Sequence, residues 1–270
     1  MDYLPSNHTF AVCAYGSCSY LEDCIKSLIA QSVPTRVIIC TSTPNEHISG
    51  LASRYNVPLY INKEPGNIVT DWNFAYHSAD TALVTLAHQD DIYEPDYTRM
   101  ILENLNRGGA TQIAFTKYYE IQDGKRVDSS QFINLKIKEL MLSPFRIEAF
   151  QSWKWLRRRI LSLGNPIGCP SVTYVKANLP ETVFDADFGS NIDWTTWEKL
   201  SRRNGRFLYV PYALMGHRMY AESTTVKMIN DNSARSKEDF EMLRRFWPEP
   251  IAKLIWKLYT RSQKQRIKKV

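Results

Sequence analysis

The stretch that most constrains the fold of this chain is Ala82 to Asp96, ALVTLAHQDDIYEPD. Its first six residues form an apolar run that suits a buried strand of a parallel sheet. The run stops abruptly at His88, Gln89, Asp90 and Asp91. Open α/β sheets bind ligands just beyond the carboxyl ends of their strands. Two adjacent carboxylates in such a place repel each other unless a cation or hydrogen-bond donors compensate. A divalent metal holding a diphosphate supplies that compensation, because hard cations take carboxylate and phosphate oxygens. The plainer alternative is a loop with two solvated aspartates.

The residues before this stretch alternate strand and helix. Thr9 to Ala14 (TFAVCA) reads as a first buried strand, and Tyr15, Gly16 and Ser17 as its turn. Ser19 is placed to cap a helix to Gln31, with Leu21, Cys24, Ile25, Leu28 and Ile29 at helical spacing. Val37 to Cys40 is a second strand, with Thr41 to Asn45 as its polar exit loop and a helix over Glu46 to Tyr55. Pro58 to Ile61 is a third strand; Pro65-Gly66 marks a turn, and Ile68 to Ala79 reads as a helix leading into the opening strand. This alternation predicts an α/β protein, a mostly parallel central sheet flanked by helices. Neither a glycine-rich dinucleotide fingerprint nor a Walker sequence occurs. Phosphate binding must rest on something else, and a metal at Asp90 and Asp91 fits.

The second half is less regular. A helix is expected from Asp96 to about Asn106, a strand over Gln112 to Ile121, and a hairpin-type turn at Asp123-Gly124. Phe150, Trp153, Leu156, Ile160 and Leu163 recur at helical spacing, beside Lys154, Arg157, Arg158 and Arg159. This predicts an amphipathic helix that packs on the core with a solvated basic face, or else one that faces a membrane. Asn165 to Pro170 (NPIGCP) is a rigid loop before a strand at Ser171 to Val175. Asp193 stands at or near the start of a helix carrying Trp194, Trp197 and Leu200, where a cap or first-turn acid is the simple reading. Phe207 to Val210 is a further strand. Met215 to Thr225 reads as polar and irregular, with His217 and Arg218 side by side. His8, His47 and His77 lack such context and are expected at the surface.

Charge narrows the function classes. The net charge is +6, yet Ile251 to Val270 alone carries seven Lys and Arg and no acid. The remainder is therefore slightly acidic, and a nucleic-acid binder, which spreads its basic surface more widely, is disfavoured. Pro250 suits a first helical position, and Ile251, Leu254, Ile255 and Leu258 then recur as one stripe, with Lys253, Lys257, Arg261 and Lys264 mostly off it. That stripe either packs on the rest of the protein or lies on an anionic membrane surface. No apolar run approaches the length of a membrane span, and Met1 to Asn7 lacks signal-peptide character. Five cysteines in no zinc-binding spacing suggest free thiols in a reduced, cytoplasmic setting.

Several of these segments, in this order, resemble the family 2 glycosyltransferases of GT-A fold, the inverting bacterial enzymes of surface polysaccharide and glycolipid synthesis. They are FAVCAYGSCSYLEDCIKSLIAQS, WNFAYHSAD, LAHQDDIYEPDY, NIDWTTWEKLSRRNGRF and HRMYAESTT. The resemblance spans roughly Thr9 to Thr225. It implies a GT-A domain over 1–225, with a nucleotide-sugar half (1–106) and an acceptor half (107–225), followed by a basic amphipathic helical extension (226–270). It implies that Asp90 contacts the ribose and Asp91 the Mn²⁺ or Mg²⁺ on a nucleotide-diphosphate sugar, with His217 completing the metal shell or contacting the diphosphate. Ala14, Tyr15, Thr41, Ser42, Asn73 and Arg218 would line the nucleotide-sugar site, and Trp72 lies either near it or in the core. Asp193 would be the general base toward a glycan or lipid-linked acceptor hydroxyl. No nucleic-acid partner is implied. The chain departs from the family pattern at His88, where many members have an acid, and at Thr41-Ser42, where an aspartate often contacts the base. It departs again at Tyr220, where many have a second histidine. The Thr41-Ser42 departure leaves the nucleotide open, while His88 and Tyr220 support a rival reading as a non-catalytic subunit of a partner transferase; the intact Asp90, Asp91 and Asp193 oppose it.

Overall fold

The computed structural model describes residues 2–64, 66–220 and 234–267, the side chains of 234 and 262–267 excepted. Pro65 of the expected turn, Ala221 to Thr225 of the late loop and Lys268-Lys269 of the tail lie outside the described residues. The chain divides into two compact units: Met1–Tyr118 with Gly168–Phe184 and Gly205–His217, and Tyr119–Ile167 with Asp185–Asn204 and Arg218–Val270.

The first unit begins with the expected alternation: β1 (His8–Ala14), α1 (Leu21–Ile29), β2 (Arg36–Thr41), α2 (Glu46–Arg54), β3 (Leu59–Ile61), α3 (Ile68–Ser78) and β4 (Leu83–His88). Strands β3, β2, β1 and β4 lie side by side and parallel. Asparagines start two of the helices. Asn45 accepts the Ile48 N–H at 2.9 Å to open α2, and Asn67 accepts those of Val69 and Thr70 to open α3. Ser19 does not cap α1, which begins after Tyr20 without a side-chain cap, because the Cys18 carbonyl already takes the Leu21 N–H. After β4 come β5 (Ile92–Tyr93), α4 (Tyr97–Leu105) and β6 (Thr111–Gln122). The last residues of β6 pass into the second unit and pair with β7 (Lys125–Val127) across a turn at Asp123-Gly124, both at positive φ. The sheet is completed by β8 (Val172–Val175) and β9 (Arg206–Met219), in the order β3-β2-β1-β4-β8-β6-β9-β5. Beyond β4 the pairing turns antiparallel: β8 runs against β4 and β6, and β5 against β9.

A buried polar chain joins the parallel and antiparallel parts. His8 lies fully inside, its ring nitrogens against Thr35 Oγ1 at 3.0 Å and Thr85 Oγ1 at 2.9 Å. Thr85 meets Thr173 of β8 at 2.6 Å, and Thr173 meets the Tyr97 hydroxyl, which donates to the Ser171 carbonyl. Each group is satisfied, so the chain fixes the register of β8 on β4 without a desolvation penalty. This corrects the surface assignment of His8; His47 and His77 are exposed as expected.

The second unit holds α5 (Ile133–Leu142), α6 (Lys154–Arg159), α7 (Ile192–Ser201), α8 (Ala234–Arg244) and α9 (Glu249–Ile267). The long amphipathic helix expected around Phe150 to Leu163 is instead a 3₁₀ turn followed by the short α6. Of its basic side chains only Lys154 is exposed. Arg157 is buried and donates to the Arg203 carbonyl at 2.6 Å; Arg158 pairs with the buried Glu198, which Arg202 also grips at 2.6 Å. A carboxylate inside the protein needs such partners, and that need draws the arginines inward. Trp153 and Leu163, expected to pack, are exposed.

The irregular segment expected from Met215 is also replaced: Met215 to Met219 continues β9. Helix α9 docks through Ala252, Trp256 and Tyr259. Trp256 Nε1 donates to the Ser236 carbonyl at 2.8 Å, and Tyr259 lies on Gly164, where an added Cβ would fall 2.8 Å from its ring. Of the stripe Ile251, Leu254, Ile255 and Leu258, the packing alternative fails at Ile251, Leu254 and Leu258, which are exposed, while Ile255 is half-buried.

Burial pushes the His8 imidazole down to about 3. The unfolded chain protonates near 6.5 while the folded chain does not, so this group's contribution falls as pH drops below about 6.5 and levels off near 3. Unfolding free energy of the intact protein should therefore lose up to about 1.4 kcal/mol per pH unit more than that of His8→Gln in this window. Urea titrations of both at several pH values check it; parallel pH dependences would contradict it.

Candidate active site

At the carboxyl edge of the first unit, three strand exits are stitched together. Ala14 ends β1, buried, and Tyr15 follows it, exposed. The Gln89 side chain grips the Tyr15 main chain at both ends: its Oε1 accepts the Tyr15 N–H at 2.9 Å, and its Nε2 donates to the Tyr15 carbonyl at 3.0 Å. The next residue turns at φ +59, a conformation that glycine adopts freely, and Gly16 occupies it. Its N–H donates to Thr43 Oγ1 at 2.7 Å, and Asn45 Nδ2 donates to its carbonyl at 3.0 Å. The exits of β1, β2 and β4 thus form one preorganised rim. Gln89, Thr43 and Asn45 were not singled out from sequence, where each reads as an ordinary loop polar residue.

Asp90 and Asp91 follow Gln89 in the tight turn between β4 and β5. The Asp91 N–H closes it on the His88 carbonyl at 3.1 Å, and Asp91 is only 1% exposed. In the β5–β9 ladder Ile92 pairs with Gly216 and Tyr93 with Met215. Asp91 and His217 therefore stand one step beyond the last pair, at facing positions. In backbone register the two residues assigned to a metal, 126 positions apart in the chain, thus lie at neighbouring strand ends. His88 stacks near Trp72, ring centroids 5.2 Å apart, and its Nε2 is shielded from solvent with no hydrogen-bond partner. Burial lowers its pKa, opposed by the charge of Asp90, so it is neutral near pH 7. Trp72 itself is buried against His88 and Phe184.

The remaining residues assigned to the nucleotide-sugar site are placed as follows. Thr41 is buried, and its hydroxyl accepts the Thr43 N–H at 3.0 Å. Ser42 donates to Asp71 at 2.8 Å, and Asn62 donates to the other oxygen of that carboxylate at 3.1 Å. Asn73 Nδ2 donates to the Phe184 carbonyl and its Oδ1 accepts the Phe184 N–H, so both ends of its amide hold the backbone at Phe184. Thr41 and Asn73 therefore shape the site through the backbone they hold. Arg218 is largely buried near the end of β9.

In the second unit Asp193 sits in the first turn of α7. Its Oδ1 accepts the Trp194 N–H at 2.7 Å, and its Oδ2 accepts from Asn165 Nδ2 at 2.7 Å. Asn165 is itself oriented, since its Oδ1 accepts the Ile167 N–H. The loop leading to Asp193 is held by α8. Glu238 accepts the N–H groups of Gly189, Ser190 and Asn191 at 2.8, 2.9 and 3.2 Å, and Asn191 Nδ2 donates to Asp239 at 2.8 Å. Sequence reading missed these supports; Asn165, ahead of Pro166 in a loop marked as rigid, offered the only local signal. Burial pushes the Asp193 carboxyl above the ordinary carboxylate range. The Trp194 N–H, the charges of Arg235 and Lys138, and the Asn165 hydrogen bond oppose that rise. A carboxylate so placed is a stronger base than a solvated one.

Among the described residues no three His, Cys, Asp or Glu side chains form a metal cage. Asp91, with His217 at the facing register position, could supply one or two ligands to a cation, the rest of its shell coming from other groups.

Sequence and structure comparisons agree on the class. The family described as "Glycosyltransferase like family 2" matches residues 5–268, and the chain belongs to it. No curated protein matches the chain in sequence. Among solved structures, TarS of S. aureus in complex with UDP-GlcNAc is similar at 15% identity and a TM-score of 0.60, covering 93% of this chain and 70% of that one. The mannosyltransferase PcManGT of Pyrobaculum calidifontis, in complex with GDP-Man and Mn²⁺, is similar at 12% identity and a TM-score of 0.61, covering 96% and 71%. Glucosyl-3-phosphoglycerate synthase of Mycobacterium tuberculosis, with Mn²⁺, UDP and glucosyl-3-phosphoglycerate, follows at 13% identity and 0.51, covering 80% and 73%. The α/β architecture, a central sheet flanked by helices, is the GT-A fold of these glycosyltransferases.

The Asn165 hydrogen bond favours the charged form of Asp193, so its removal raises the pKa further. Asn165→Ala should move the acid limb of the pH–turnover profile to higher pH and spare turnover at alkaline pH. An unmoved limb would contradict the orientation role.

Proposed function

We propose that the chain is a metal-dependent, inverting glycosyltransferase of the hexosyl type. It moves a sugar from a nucleotide-diphosphate donor to a hydroxyl of a glycan or lipid-linked acceptor in bacterial surface polysaccharide synthesis, at the cytoplasmic face of the membrane. The observation that carries this reading is the buried Asp91 facing His217 beyond a stitched rim of strand exits. It is supported by the family match and by the sugar nucleotides and Mn²⁺ bound in similar structures.

A bound Mn²⁺ or Mg²⁺ supplies positive charge to the diphosphate as the nucleoside diphosphate leaves. Asp91 and His217 would hold that ion, and Asp90 would contact the ribose. The turn at Ala14 and Tyr15 receives the nucleotide base, its backbone held by Gln89. Arg218 offsets phosphate charge. Asp193 takes the proton from the acceptor hydroxyl, whose oxygen attacks the anomeric carbon opposite the leaving group and inverts it. One base suffices, with no enzyme nucleophile.

Two substitutions test these roles separately. Asp91→Ala should abolish metal-dependent donor binding and reduce turnover by about 10²-fold or more, the scale for removing a main electrostatic stabiliser. Full activity of the intact enzyme in excess EDTA would refute the metal role. Asp193→Asn preserves shape but cannot accept a proton. Turnover at saturating donor should fall by roughly 10²–10⁴-fold, with donor affinity nearly unchanged by calorimetry. Collapse of donor affinity with turnover intact would make Asp193 a binding residue.

A further inference from the structure

Ten of the fifteen exposed large hydrophobic side chains among the described residues belong to the second unit, so the apolar surface is concentrated there. The clearest part is α9. Its inner face is taken by Ala252, Trp256 and Tyr259, which leaves two adjacent rows outside. One is apolar: Ile251 is 45% exposed, and Leu254 and Leu258 are each 62% exposed. The other is cationic: Lys253, Lys257 and Arg261 follow at four-residue steps, all exposed. No acid occurs after Glu249. At the start of α9, Arg159 lies over the Trp247 ring at 4.7 Å and the Trp155 ring at 5.5 Å. Trp155 in turn stacks with Trp153, and both are half exposed. In the same unit, α5 exposes its own apolar row of Ile133, Ile137 and Leu140.

We infer that the outer face of α9 is a docking surface for an anionic lipid bilayer. It deepens the proposed function by naming the surface through which that enzyme meets a lipid-linked acceptor. A helix lying in the interface plane buries apolar side chains at the headgroup boundary and keeps lysine and arginine heads at the level of the lipid phosphates. The two rows of α9 meet both demands. Indole rings favour the same boundary, being apolar with one polar edge. Charge selects this occupant over others. A second copy docking symmetrically through this face would set like charges against each other. A nucleic acid would satisfy the cations but leave Ile251, Leu254 and Leu258 in water.

The test is flotation of the full chain with vesicles of phosphatidylcholine alone or mixed with phosphatidylglycerol. Its readout needs neither donor nor turnover, so failure here leaves the transferase reading standing, and an inactive enzyme can still float. The intact chain should float with the anionic vesicles only, and high salt should release it. Lys253→Gln/Lys257→Gln/Arg261→Gln should weaken partitioning by about fivefold per cation, roughly 100-fold together. Leu254→Ser/Leu258→Ser should weaken it even at low salt. Both variants change exposed side chains and should retain the intact protein's thermal unfolding profile and donor affinity. Flotation that ignores lipid charge, or persists unchanged in either variant, overturns the inference. So does a concentration-dependent dimer, without vesicles, that Leu254→Ser/Leu258→Ser dissociates.

Discussion

A carboxylate almost wholly removed from water at the end of a central strand is the constraint around which the first unit is arranged. Asp91 follows β4 with 1% of its surface exposed and another acid beside it. Stability alone does not select such a pair, because placing a buried carboxylate beside a second acid costs free energy unless partners compensate it. The surrounding structure holds it in place nonetheless. The turn is closed by the Asp91 N–H, and Gln89 ties β4 to the turn after β1. The β5–β9 ladder sets His217 at the facing position. A rim that rigid can receive a charged ligand without rearranging, which lowers the ordering cost of binding.

The second unit solves a related problem for Asp193. In the role proposed for Asp193 a raised carboxyl pKa is useful, since a base must be strong enough to draw a hydroxyl proton yet ionised at working pH. Burial supplies the upward push, while Asn165, the Trp194 N–H and nearby cations limit it. The C-terminal part of the chain takes part in this through Glu238 and Asp239, which hold residues 189–191 from α8. The helices after residue 234 therefore support the loop that leads to Asp193 as well as presenting an outer face on α9.

The parallel half of the fold was legible because each strand there is a short apolar run closed by polar or turn residues, and each helix has one apolar face. The acidic turn was legible because Asp90-Asp91 ends such a run. Three things were hidden for physical reasons. His8 reads as polar, but Thr35 and Thr85 satisfy it inside the sheet. The arginines of α6 read as a solvated face, but one buried carboxylate, Glu198, draws Arg158 in. The C-terminal stripe reads as a packing face, but small Ala252 and the ring of Tyr259 at Gly164 fit more closely, turning the leucines outward. Long-range partners such as Asn165 for Asp193, or His217 for Asp91, come from tertiary register, which local periodicity does not encode. The family resemblance had already suggested His217 and Asp193, but not their supports.

The central claim is that Asp91 and His217 form half of a cation site that only a nucleoside diphosphate completes. Electron paramagnetic resonance of free Mn²⁺, titrated with the protein in the presence and absence of UDP or GDP, tests it most directly. The account predicts weak Mn²⁺ binding by the protein alone, much tighter binding once the matching nucleotide is added, and loss of that gain in Asp91→Asn and His217→Ala. Tight Mn²⁺ binding without nucleotide, or a gain that survives both substitutions, would contradict it.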